Sequence, residues 1–260
     1  MQVGVLHMRK AGGTSVVENV RRACETIHVQ EWGMFHIHSD RYNILTLRNP
    51  VRRAVSSYLF EGGAPQCWEK RIHRPEQLVA CLQRYNALLP FHLYRTISMR
   101  LWKQRGSALT FQSEYNGARV GVEGKIGRPY IPNYFMHKLT GDGNFTRALA
   151  RVDAVDMIVI PGRVPIRWSS RPVPPCLDSA SWNVSWSAEG YVHERTAVDD
   201  VLQRAKRRAF ESMDLTRYTS MLEEENSADV ALFTYVLQKT NRGGNAADPC
   251  VTQFYDSMCP

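Results

Sequence analysis

The chain has 260 residues, 43% of them hydrophobic and 22% charged, and carries a formal net charge of +8 at neutral pH. That length suits one α/β domain, with or without appended loops, and neither an internal repeat nor a low-complexity run is visible. The positive balance favours an anionic partner. The basic residues are scattered and form no nucleic-acid-binding motif, which argues against nucleic acid.

Val3, Val5 and Leu6 read as a short buried strand. A polar turn with Gly12 and Gly13 follows, and Thr14 and Ser15 open a helix in which Val16/Val17, Val20, Ala23/Cys24 and Ile27 recur at helical spacing. Strand, glycine turn and helix together hold phosphates. Glycines let the backbone approach an anion, and the unpaired N–H groups of the helix start point toward it. Lys10 adds a positive charge, and the hydroxyls of Thr14 and Ser15 add donors. Within Glu31–His38, Met34, Phe35 and Ile37 predict a second strand, with His36 and His38 on one side of it. Ile44–Leu47 predicts another strand. Arg48 then stands at its carboxyl end, where open α/β sheets bind ligands. Asn49 and Pro50 mark a helix start, with Val51, Ala54/Val55 and Tyr58/Leu59 facing the core and Ser56 two turns in.

The segment His7-Met8-Arg9-Lys10-Ala11-Gly12-Gly13-Thr14-Ser15 resembles the 5′-phosphosulfate loop of sulfotransferases dependent on PAPS, 3′-phosphoadenosine 5′-phosphosulfate. Arg48-Asn49-Pro50, Arg53, Ser56 and Tyr58 resemble the same family's 3′-phosphate motif. The lysine precedes the glycines, so the loop is not a Walker A sequence. The resemblance implies an α/β fold with a central parallel sheet flanked by helices, of the P-loop-like sulfotransferase type. It implies PAPS as donor, bound by Lys10, Gly12, Gly13, Thr14, Ser15, Arg48 and Ser56. It also implies a carbohydrate acceptor, for which an acidic glycan would suit the chain's positive charge, and no metal.

Such a transfer needs a base for the acceptor hydroxyl, and histidine titrates in the right range. The heparan sulfate 2-O-sulfotransferases carry H-x-H at the comparable place and the 6-O enzymes carry H-A-D. His38 fits both patterns and is the first candidate, with His36 as support. A metal pair or two surface histidines remain open readings, although no third ligand stands at a recognisable spacing. Lys10 would also stabilise the bridging oxygen as the S–O bond breaks. A phosphotransferase using ATP, an inactive nucleotide- or glycan-binding module, and a sulfotransferase acting on protein tyrosine are the competing functions.

The rest of the chain carries less chemistry. Residues 61–74 read as a loop with basic side chains, Pro75–Leu89 as a helix, and Phe91–Leu101 as apolar-spaced. Residues 116–134 are loop-like; Asn133 and Lys138 in the following segment are candidate cleft residues, against a preferred core-helix reading. Asn144–Val152 predicts a helix and Val155–Ile160 a buried strand. Residues 161–190 form an irregular region in which Trp168, Trp182 or Trp186 would stack on sugars or pack the surface. A helix around Val198–Ala209, a last helix capped by Ser227, and a tail over 241–260 complete a single domain whose residues 1–60 are the donor-binding core.

Neither a signal peptide nor a membrane span is recognisable, whereas the family resembled is Golgi-lumenal and held by an N-terminal anchor. Two sequons, Asn144-Phe145-Thr146 and Asn183-Val184-Ser185, lean toward the lumen. So do Cys250 and Cys259, which could pair, as could others among Cys24, Cys67, Cys81 and Cys176.

Overall fold

The computed structural model describes residues 2–9, 11–31, 33–57, 91–105, 130–161, 163, 165–178 and 215–242. Five strands form one sheet in the order β2-β1-β3-β4-β5. They are β1 Gln2–Leu6, β2 Ile27–Gln30, β3 Arg41–Thr46, β4 Met157–Val159 and β5 Ile166–Arg167. The first four are parallel, and β5 closes the edge antiparallel to β4. Helices cover both faces: α1 Gly13–Ala23, α2 Pro50–Ser57, α3 Phe91–Arg105, α4 Tyr134–Thr140, α5 Phe145–Asp153, α6 Leu215–Glu225 and α7 Ser227–Arg242.

The period-two alternation of the strands sorts the core into two layers. Val3, Val5, Tyr42, Ile44, Met157 and Val159 face α1, where they meet Val16, Val17 and Val20. Leu6, Leu45 and Ile158 face the other way, onto Leu139 of α4, Ala148 and Val152 of α5, and Leu232 and Val236 of α7. A disulfide between Cys24, at the end of α1, and Cys176, in a 3-10 turn over Pro175–Leu177, pins the α1 layer to a segment 152 residues away. It is one of the pairings left open by the sequence.

The predicted second strand is displaced. Pairing with β1 falls on Ile27–Gln30, with Val3 opposite Ile27 and Leu6 opposite Gln30, while residues 33–38 are irregular. Phe35 made this stretch look strand-like because its side chain is fully buried in the α4/α5 layer. The Gln30 side chain then holds the backbone of His36 at both N–H and C=O, at 2.8 and 2.7 Å. The β2–β3 crossover is therefore a loop laid on the face opposite α1.

The helices predicted to start at Asn49-Pro50 and at Asn144 do so. Asn49 Oδ1 accepts the Arg52 N–H at 3.1 Å, and Asn144 Oδ1 accepts the Arg147 N–H at 2.9 Å. The last helix is capped differently from expectation. It begins at Ser227, and the N–H groups of Ala228 and Asp229 are taken by Asn133 Oδ1, at 3.0 and 3.1 Å. Asp229 returns the service to α4, accepting from the N–H groups of Phe135 and Met136, both at 2.9 Å. Two helices thus cap one another across the core. That settles Asn133 as a structural residue, left-handed at φ 48° to reach α7. Lys138 is likewise internal: it is fully buried and donates to the Glu31 carbonyl at 2.7 Å. Trp168 is partly buried against the same core, near Tyr235 and Lys239. The expectations for residues 61–89, for 116–129, for the helix around 198–209, for Trp182, Trp186, Asn183, the remaining cysteines and the tail lie outside the described residues.

Candidate functional site

Strand order 2-1-3-4 has its switch point between β1 and β3, where successive crossovers leave for opposite faces and a crevice opens at the carboxyl edge. Both motif segments emerge there, because Leu6 and Leu45 are register partners. The turn after β1 is tied to both neighbours. The His7 N–H donates to the Gln30 carbonyl at 2.9 Å, and the Met8 N–H donates to Thr46 Oγ1 at 2.9 Å. Gly12 then takes a left-handed conformation, φ 78°, that a side chain would strain, and becomes the N-cap of α1. Gly12 has no side chain to cap that helix, and no acidic residue lies in its first turn. The first backbone bond of this turn runs from the Val16 N–H to the Gly12 carbonyl, leaving the N–H groups of Gly13, Thr14 and Ser15 toward the edge.

Arg48 follows β3 at this edge and is half-buried. Ser56 is half-buried too, six residues beyond Pro50, about 9 Å further along the helix axis. Arg53, the motif's other arginine, serves the core. It is 3% exposed, donates to the Ile131 carbonyl at 3.3 Å and lies 4.4 Å from the centre of the Tyr134 ring. Lys10 lies outside the described residues.

The structure does not bring His38 to this edge. Its backbone N–H and C=O pair with the Asn43 side chain at 3.3 and 2.9 Å. Asn43 lies in the first half of β3, five residues before Arg48, or about 16 Å along the strand. His38 and the exposed His36 instead line an open cleft of about 440 Å³ with Arg147, Arg151 and Arg171. The crossover loop, and not strand alternation, places both on this cleft.

Sequence reasoning passed over the histidine that does stand at the loop. The His7 ring lies against Gly13, so close that a Cβ on that glycine would sit 1.7 Å from Cδ2. His7 Nδ1 is 3.9 Å from Glu31 Oε2, and Glu31 Oε1 accepts from Arg9 at 3.3 Å. A buried imidazole, a carboxylate 3.9 Å from it and three N–H groups with no acceptor among the described residues thus share the carboxyl edge. The signal was available in sequence: His7 directly follows the apolar strand, and Glu31 directly follows β2 once that strand is set at Ile27–Gln30. Among the described residues there is no cluster of His, Cys, Asp or Glu suited to a metal, and no helix is long and apolar enough to cross a membrane.

Comparison with protein-family models, curated proteins and solved structures returns no match. The class established by the coordinates is an α/β protein with a five-stranded, mostly parallel sheet flanked by helices.

Proposed function

We propose that the chain is a sulfotransferase of the P-loop-like fold, moving a sulfuryl group from PAPS to a hydroxyl of a carbohydrate acceptor. One observation carries the reading: the two motif segments leave adjacent parallel strands at the same edge and at the switch point. The start of α1 and Arg48, which follow adjacent strands at one edge, suit the two phosphate ends of one nucleotide. The 5′-phosphosulfate would rest on Gly12, Gly13, Thr14, Ser15 and Lys10. The 3′-phosphate would rest on Arg48 and Ser56.

In the reaction, the acceptor oxygen attacks sulfur in line while the bond from sulfur to the bridging phosphate oxygen breaks. The electron pair leaves with 3′,5′-diphosphoadenosine. Lys10 and the N–H groups of α1 neutralise the charge that develops there. The acceptor proton passes to a histidine. Position at the carboxyl edge favours His7, which stands 3.9 Å from Glu31, over His38 for this step. The Cys24–Cys176 disulfide and the exposed Asn144 sequon support an oxidising, Golgi-like lumen as the site of action.

Transfer of labelled sulfuryl from PAPS to a panel of glycans and tyrosine peptides tests the reading. His7→Ala is expected to lower transfer about 100-fold, with a smaller loss for His38→Ala. The opposite ranking would return the base role to His38. Product-nucleotide binding without transfer to any acceptor would leave a binding module.

A further inference from the structure

We infer that the cleft at the amino-terminal side of the sheet is a second anion site, built for a sulfate or carboxylate group carried on an acidic ligand. Its lining includes Arg147, Arg151, Arg171, His36 and His38, and no carboxylate. The nearest acids are already engaged with the same arginines. Asp142 pairs with Arg147 at 3.2 Å and Asp156 with Arg171 at 3.6 Å.

The guanidinium groups are held by the protein in a way that leaves them aimed. Arg151 Nη1 donates to the carbonyls of Phe35 and Leu139, at 2.8 and 2.5 Å. Arg171 Nη1 donates to the Arg41 carbonyl at 2.5 Å. Each is fixed through Nη1, and no acceptor among the described residues engages its Nη2. A planar fork anchored on one side presents its other donors in the geometry that carboxylates and sulfates accept. Arg41 adds to the surplus. It projects from the same face of β3 as Asn43, and its Nε and Nη1 are buried with no hydrogen-bond partner among the described residues. Arg151 and Arg41 have no carboxylate partner among the described residues, and their charge raises the attraction for an anion entering the cleft.

This site does not depend on the donor reading, because it lies roughly a strand length from Gly12–Ser15 and Arg48. Inorganic sulfate and a sulfated uronate–glucosamine tetrasaccharide are the probes, read by NMR at two places: the imidazole signals of His36 and His38, and the amides of Gly12–Ser15. Saturable shifts at the two histidines are expected with both probes. Tighter binding of the tetrasaccharide would identify a glycan-borne group, and equal binding a small free anion. Arg147→Ala should weaken the response about tenfold. Ala150→Glu, an exposed helical position on the cleft wall, should abolish it without disturbing the core. Shifts confined to Gly12–Ser15, no shift with either probe, or a response unchanged in Ala150→Glu would overturn the inference.

Discussion

Asp229→Asn is expected to cost about 2–4 kcal/mol of folding stability, the largest loss from any isosteric change in the described core. The carboxylate is completely buried and each oxygen accepts one N–H of the first turn of α4. Asparagine keeps the shape and one acceptor but turns an amide N–H₂ toward the other N–H, leaving a buried donor facing a donor. Burial, opposed by those two N–H groups and by Arg53, raises the Asp229 pKa to about 6. The folded-state value therefore lies above the unfolded one, near 3.9, so the native state holds this proton more tightly. The stability contributed by that tighter proton binding is complete below about pH 4 and is lost as pH rises through about 6. It amounts to roughly 3 kcal/mol between the two plateaus. Urea midpoints measured at several pH values check both effects. The wild-type protein should lose stability over that window, and Asp229→Asn should not show this component. An unchanged m-value would show that the loss lies in the folded state.

Gly13→Ala is expected to cost about 1–3 kcal/mol and to weaken nucleotide binding as well. The new methyl would occupy the place of the His7 ring, 1.7 Å from Cδ2 and 2.4 Å from Nε2. Because His7 is only 8% exposed and is boxed in by Glu31, the ring cannot swing aside at no cost. The double variant His7→Ala/Gly13→Ala removes the obstacle. If the clash is the cause, the double variant is more stable than additivity of the single changes allows. Strict additivity would show that Gly13 is required for some other reason.

The two segments that sequence located best are those in which a turn signal and a hydrophobic period agree. Val3–Leu6 followed by Gly12-Gly13, and Ile44–Leu47 followed by Asn49-Pro50, both became strand, turn and helix at the expected positions. The edge strand β2 was missed because Ile27-His28-Val29-Gln30 is short and only half-buried, while neighbouring Phe35 supplies a stronger apolar signal from a loop. A fully buried residue in an irregular crossover imitates a strand in any local pattern. The mutual capping of α4 and α7 was illegible for a different reason: Asn133 and Asp229 are 96 residues apart, and each caps the other's helix. Arg53 has a place in the core that no local pattern shows. It belongs to the pattern around Arg48, yet it lies against Tyr134 in the core and not at the carboxyl edge of the sheet.

Separation of His38 from the Gly12-Gly13 turn carries the main consequence for the proposed function. Spacing in the sequence placed it between the two motifs, but the crossover carries it back toward the start of β3 before that strand runs out to Arg48. The carboxyl edge keeps its own histidine, His7, while the cleft gathers His36 and His38 among arginines.

The account rests most heavily on a donor site at the β1/β3 edge that requires a 3′-phosphate. Calorimetric titration with 3′,5′-diphosphoadenosine, beside AMP lacking the 3′-phosphate, tests it most directly. The prediction is clear binding of the bisphosphate, AMP weaker by about tenfold or more, and loss of that difference in Arg48→Ala. Equal affinity for the two nucleotides, or no binding of either by a well-folded sample, would contradict it.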